Sequence, residues 1–321
     1  MRRVLLVSAA LAAGAENGAP EDANRLRRMD RFGRSGFLAG MRAFTASRAP
    51  DPPGPDPRGG VIVGTRLGCR AAITEHARRL AAAARVEDLA PSVFAATVHN
   101  SVNGELAMEL GLGGVSETIV SGRTAGLEAL ILGARRVASG DADRILVVAA
   151  EGFDDSMREA WAEERSALGP RAAGVELVET GAAVFLEAKE EETASEQRLP
   201  ARYVSGTLFF EPDARRAKAR FLEWVKEIEA RRAGEAEPPA VKLCTPEYED
   251  FLEGEERRGD PPRIERFGAA GLYEIANDDA ARRARAAGEH PLDSPFRKIH
   301  VYVTRETTGA VAAVALEFFY S

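Results

Sequence analysis

The chain has 321 residues, 45% of them hydrophobic and 29% charged, which is ordinary for a globular protein and enough for two domains or one large α/β unit. Lys and Arg total 43 against 50 Asp and Glu, and the formal charge of −7 argues against an unaided nucleic-acid surface and against docking an acidic partner through the overall field. Two cysteines, Cys69 and Cys244, are too few for a disulfide framework and suit a reducing, cytoplasmic compartment. The four histidines (His76, His99, His290 and His300) show no ligand-like spacing, so neither a metal nor a cofactor is expected.

The first element admits two readings. Met1 to Ala13 places a basic start before an apolar run and small residues, as a secretory signal does, yet Val4–Val7 also fits a buried first strand followed by a loop at Gly14 and Gly18. Further short apolar runs predict strands at Val61–Gly64, Glu117–Val120, Ile145–Ala149 and Ala182–Leu186. The second part of the chain adds Tyr203–Phe210, Val241–Thr245, Ile299–Thr304 and Ala310–Phe318. Helical patterns stand between them at Arg70–Ala84, Gly104–Leu110, Thr124–Ser139 and Ala214–Arg232. Strands alternating with helices indicate an α/β fold with largely parallel sheets. Proline-rich Ala49 to Gly60, acidic Lys189 to Gln197, Ala233–Pro239 and Glu253–Pro262 read as loops. No apolar run approaches the ~20 residues of a membrane span.

The motifs concentrate in the first part. Pro91 to Gly104 reads PSVFAATVHNSVNG, followed by Glu109-Leu110-Gly111-Leu112-Gly113-Gly114 and then by Glu117 to Ala129, ETIVSGRTAGLEA. Gly140 to Val148 and Glu179 to Glu187 continue the order, and Leu243 to Pro246, Gly268 to Gly271 and Thr308 to Glu317 extend it more faintly. This series resembles the β-ketoacyl synthases of the thiolase fold, in the branch found with aryl-polyene and similar polyketide systems, where relatives act as chain-length-factor-like subunits. The resemblance implies two pseudo-duplicated halves in a layered α-β-α-β-α arrangement. The N-terminal ketosynthase-like half would span residues 1–195 and a shortened C-terminal half residues 196–321.

Ketosynthases hold a nucleophilic cysteine at a helix N-terminus and two histidines that promote decarboxylation and stabilise the enolate. The resemblance puts Arg123 at the cysteine position, or Thr124 with a one-residue shift. It puts Leu243 and Glu265 at the histidines. No catalytic residue of the usual kind remains, and the glutamine of the usual chain-length factors is absent as well. One reading pairs Arg123 with Glu265 as a buried ion pair filling the vacated pocket, where losing one member would cost about 3–5 kcal/mol. The other points one or both into solvent.

The resemblance therefore implies a subunit that is not an enzyme on its own. Its expected partner is an active ketosynthase in a heterodimer, or a second copy of itself, with an acyl carrier protein reached indirectly and neither nucleic acid nor membrane involved. Phe94, Val98, His99, Asn100, Met108, Ser121 and Thr124 are the tunnel and interface candidates, with bulky Phe94, Val98 and Met108 setting a chain-length stop. His99 and Asn100 otherwise look like a polar pair at a strand end, a satisfied structural histidine being the favoured reading. An acyltransferase or thioesterase using Ser121, Thr124 or Cys244 is the alternative, and a homodimeric scaffold is a third. Cys69 reads as a structural cysteine. Gly111 to Gly114 reads as a turn, lacking the lysine of a phosphate loop. Arg215, Arg216, Lys218, Arg220, Arg231 and Arg232 read as a solvated helix face or a carrier-protein patch.

Overall fold

The computed structural model describes residues 2–13, 23–47, 55–85, 94–167, 176–189, 201–233, 240–243, 264–265, 272–277, 296–305 and 310–320. In chain order these form β1 (Arg3–Ala13), α1 (Ala23–Leu26), α2 (Arg31–Ser47), β2 (Gly59–Thr65), α3 (Arg70–Ala82), α4 (Ser101–Leu110) and β3 (Ser116–Val120). They continue as α5 (Ala125–Ser139), β4 (Arg144–Glu151), α6 (Asp155–Ala167), β5 (Glu176–Leu177), β6 (Thr180–Lys189), β7 (Ala201–Phe210) and α7 (Ala214–Arg232). The last are β8 (Ala240–Leu243), β9 (Ile264–Glu265), β10 (Phe296–Arg305) and β11 (Ala310–Tyr320).

Nine strands share one hydrogen-bonded array in the order β3-β2-β4-β6-β1-β7-β11-β10-β8. The order mirrors itself about its centre. In each part the first strand lies innermost, the last lies beside it, and the middle strands run outward. Among the described residues the two parts pair through Leu5↔Arg202 and Leu6↔Ala201, so the array is two sheets joined at a short seam. The strand reading of the N-terminus holds: residues 3–13 pair antiparallel with β6 along its length.

Apolar faces dictate the layering. α2 and α4 cover one face of the first sheet, where Phe32, Phe37, Phe44, Leu106 and Phe185 form a buried cluster. α5 covers the other face and also reaches β7 and β11 of the second sheet. Leu127, Leu130, Ile131 and Ala134, one face of α5, join Val184, Val314, Leu316 and Tyr302 in a central cluster, together with Leu272 and Ile275 from a helical turn at 272–277. α7 covers the far side of the second sheet with Phe221, Val225 and Ile228. The succession is helix, sheet, helix, sheet, helix, a thiolase-like α/β fold. No helix among the described residues is long and apolar enough to cross a membrane.

Candidate functional site

Every residue of β2 is buried, as expected for a strand with parallel neighbours on both sides. At Gly64 an added Cβ would lie 2.3 Å from the Ala125 carbonyl oxygen, so only glycine lets the start of α5 settle onto β2. Gly122–Thr124 form a 3₁₀ turn immediately before α5, and this turn packs against β10 and β11 of the second sheet. The turn thus lies where the two sheets meet and contains Arg123 and Thr124, the residues that the resemblance set at the nucleophile position.

That turn holds Arg123, partly buried. A cation stands where the positive end of the helix dipole favours an anion. Thr124 is fully buried, and its hydroxyl lies 3.1 Å from the Ser121 carbonyl oxygen and hydrogen-bonds the Glu128 carboxylate. Ser121 Oγ is buried with no hydrogen-bond partner among the described residues. Leu243 ends β8, paired with Val301 of β10, and Glu265 ends β9, paired with Leu177 of β5. The side chains of Leu243 and Glu265 lie outside the described residues, and so does any Arg123–Glu265 ion pair. Cys244 lies outside them too.

The remaining candidates lie in the 94–100 segment and on α4, which packs against β2 and β3. β3 is the outermost strand of the described array, and its burial is intermediate along its middle. Asn103, 1% exposed on α4, fastens it. Asn103 Nδ2 donates to the carbonyl oxygens of Val61 at 3.1 Å and Glu117 at 2.7 Å, and Thr118 Oγ1 donates to Asn103 Oδ1 at 2.8 Å. Large apolar side chains stay exposed at Val120 of β3 (48%), at Met108 of α4 (73%) and, in the 94–100 segment before α4, at Phe94 (61%), which packs edge-on against His76 of α3, and Val98 (41%). Asn100 is exposed and precedes α4, where its carbonyl oxygen accepts from the Gly104 N–H.

A second cluster was not legible in the sequence. Cys69, with no exposed surface, stands at the N-cap of α3, and its Sγ lies 3.6 Å from His99 Nδ1. Burial, with the charge of nearby Asp30 adding to it, pushes the thiol up to about 11. The turn before it is held by Glu151, itself fully buried, which accepts from Thr65 Oγ1 at 3.1 Å, from the Arg66 N–H at 2.5 Å and from the Leu67 N–H at 3.2 Å. Thirty residues separate Cys69 from His99, and no spacing rule links them.

An open cleft of about 630 Å³ borders this cluster, lined by Asp30, Arg27, Arg28 and Arg34 and by Ala72 of α3 and Ala96 of the turn before His99. Beneath it Glu179, 6% exposed, pairs with Arg31 at 3.0 Å and Arg158 at 2.9 Å.

Residues 14–192 match the family model "Beta-ketoacyl synthase, N-terminal domain". No curated protein matches the chain by sequence. Among solved structures, one described as "The ishigamide ketosynthase/chain length factor" is 19% identical with a TM-score of 0.70, covering 98% of this chain and 99% of its own. Another, "AntDE:AntF (apo): type II PKS acyl-carrier protein in complex with its ketosynthase bound to the hexaketide", is 17% identical with a TM-score of 0.74, over 99% and 100% of the two chains. A β-ketoacyl synthase from Burkholderia phymatum STM815 is 13% identical with a TM-score of 0.71, again over 99% and 100%. At these identities the structures share the fold.

Proposed function

The chain belongs to the β-ketoacyl synthase family, whose N-terminal domain it carries over residues 14–192, and on that premise we propose that it is a non-condensing, chain-length-factor-type subunit. It pairs with an active β-ketoacyl-carrier-protein synthase in fatty acid or polyketide synthesis of the aryl-polyene kind, in the cytoplasm. The observation that supports this reading is the turn before α5, which holds Arg123 where the family resemblance puts the nucleophile. An arginine cannot form an acyl-thioester. Leu243 and Glu265 at the histidine positions remove the groups that would drive decarboxylation. On this reading residues 1–195 and 196–321 are the two ketosynthase-like halves.

What remains is shape. The β3 edge with its exposed Val120 is a surface that a partner sheet would extend and cover, with exposed Met108 on the adjacent α4 and exposed Phe94 and Val98 before it as further apolar contacts. The neighbour described as a ketosynthase/chain length factor supports a partner of that class, and the one described with an acyl-carrier protein supports indirect contact with a carrier. The test is condensation with acyl- and malonyl-carrier-protein substrates. The purified chain alone should form no β-ketoacyl product, and adding its co-purified partner should restore product. Product from the chain alone overturns the reading.

One observation favours the alternative acyltransferase or thioesterase. The Glu128 carboxylate bonded to the Thr124 hydroxyl is a base beside a nucleophile. Thr124, however, has no exposed surface, and its oxygen also faces the Ser121 carbonyl. Acyl release from acyl-carrier protein that disappears in Thr124→Val would establish this second reading.

A further inference from the structure

Strand β10 carries a hydroxyl that nothing among the described residues satisfies. Thr304 is 1% exposed, and its Oγ1 is buried with no hydrogen-bond partner among those residues. Such a group is costly to bury, so what it faces decides what it is for. Alternation along the strand fixes its direction. Ile299, Val301 and Val303 join the cluster under α7, whereas Tyr302 joins the central cluster with α5, so Thr304 faces the central layer. The course of α5 over the second sheet shows what Thr304 meets there. An added Cβ at Gly206 would lie 2.7 Å from Ile131 Cγ1, and Arg135, one turn further on, acts on Tyr203. The helix therefore starts toward the other end of β7, where Leu208 pairs with Ala312 and Ala312 with Thr304. This places the contact of the Gly122–Thr124 turn with β10 and β11 at the Thr304 end.

That turn is a helix start without a side-chain cap. Among the described residues no side-chain oxygen caps it at Ser121 or caps α5 at Thr124, so the positive end of the helix is left to other partners. Ser121 Oγ is a second buried hydroxyl with no partner among the described residues. Arg123 adds a positive charge to the turn, and Glu128, bonded to the Thr124 hydroxyl, adds a negative one. A dianion would be repelled by Glu128, whereas a single negative charge suits the helix start. Both orphaned oxygens are enclosed, so the ligand they serve is only a few atoms across.

We infer that the start of α5 binds a small monocarboxylate, an acetate-sized free acid, between Ser121 and Thr304. Each hydroxyl donates to the carboxylate, and the helix dipole holds its charge. The bound anion ties the turn before α5 to a strand of the second sheet, and no bond is made or broken.

The inference rests on the turn and β10 alone, so the presence or absence of a ketosynthase partner leaves it untouched. The folded chain is dialysed to equilibrium against radiolabelled acetate, with chloride balancing the ionic strength, and melting is followed in the same solutions. One acetate per chain is expected, with a melting temperature that rises as acetate is added. Thr304→Val and Ser121→Ala should each bind about tenfold or more weakly, the scale of one hydrogen bond to a charged group. Thr304→Ser should keep the site. Melting of each variant without acetate separates lost binding from lost folding. Phosphate bound in preference to acetate overturns the monocarboxylate assignment. No saturable acetate, as for hydroxyls satisfied by water, or equal affinity in both variants overturns the site itself.

Discussion

The Thr118 hydroxyl on edge strand β3 donates to Asn103 Oδ1 on helix α4 at 2.8 Å, and through this bond the helix holds the strand on which a partner would build. Asn103 is 1% exposed and satisfies two backbone carbonyls as well. Replacing it with leucine strands three polar groups on two strands, β2 and β3. Asn103→Leu should lower stability by about 1–3 kcal/mol in urea unfolding and loosen β3 enough to weaken partner capture. Unchanged stability would mean that the strand is held by its backbone ladder alone.

Val120 ends the same strand and is 48% exposed, so charge there should leave the fold intact, within about 0.5 kcal/mol. Val120→Glu should nonetheless remove the partner from a co-purification, because a carboxylate would be buried unpaired at the joint. Wild-type yields of complex from this variant would place the interface elsewhere.

The second half depends on a buried carboxylate. Glu317 of β11 has no exposed surface and hydrogen-bonds Arg202 of β7 and, at 2.6 Å, Arg232 at the end of α7. Removing the anion leaves two mostly buried guanidinium groups facing one another. Glu317→Ala should cost about 3–5 kcal/mol in chemical denaturation. A loss below 1 kcal/mol would show that water replaces the carboxylate without penalty.

Asp30 gives the stability a pH signature. Its Oδ1 accepts from the Gly33 N–H at 2.7 Å, while Oδ2 is buried without a partner among the described residues. Burial outweighs that bond and nearby Arg34, and with the Glu179 charge adding to it the carboxyl is pushed up to about 6. The folded value lies above the unfolded one, so between about pH 4 and 6 the native state keeps a proton that the unfolded chain has lost. Stability therefore falls as pH rises through that window, and the full penalty stands above it. Asp30→Asn should raise stability at pH 7 by about 1–3 kcal/mol and have no effect below pH 4. A gain that persists at pH 3 would point to a cause other than ionisation.

The strands were legible because strands covered on both faces write themselves as short apolar runs. The expected largely parallel pairing was wrong, since among the described residues five of the eight pairings in the array are antiparallel, a direction that apolar runs do not encode. All nine predicted runs lie on strands of the array, although Val241–Thr245 is described only to Leu243. α5 was legible from the spacing of Leu127, Leu130, Ile131 and Ala134. α2 was not predicted. Its Gly33, Gly36 and Gly40 weaken helix propensity, yet they are there for packing. An added Cβ at Gly40 would meet Leu106 at 2.8 Å, a closeness set by α4 and invisible locally. α6 was missed because its apolar positions, Met157 and Trp161, are few among charges. At the site, the turn at Arg123 could be found because resemblance ordered the motifs. The Cys69–His99 contact could not, because it is made by tertiary folding of two loops, and Cys69 was read as structural.

Affinity purification of the tagged chain from its native cells, followed by native mass spectrometry, tests the central claim most directly. A one-to-one complex with a ketosynthase that keeps its cysteine and two histidines is the predicted result. A chain recovered only as monomer or homodimer, with no such ketosynthase bound, would contradict it.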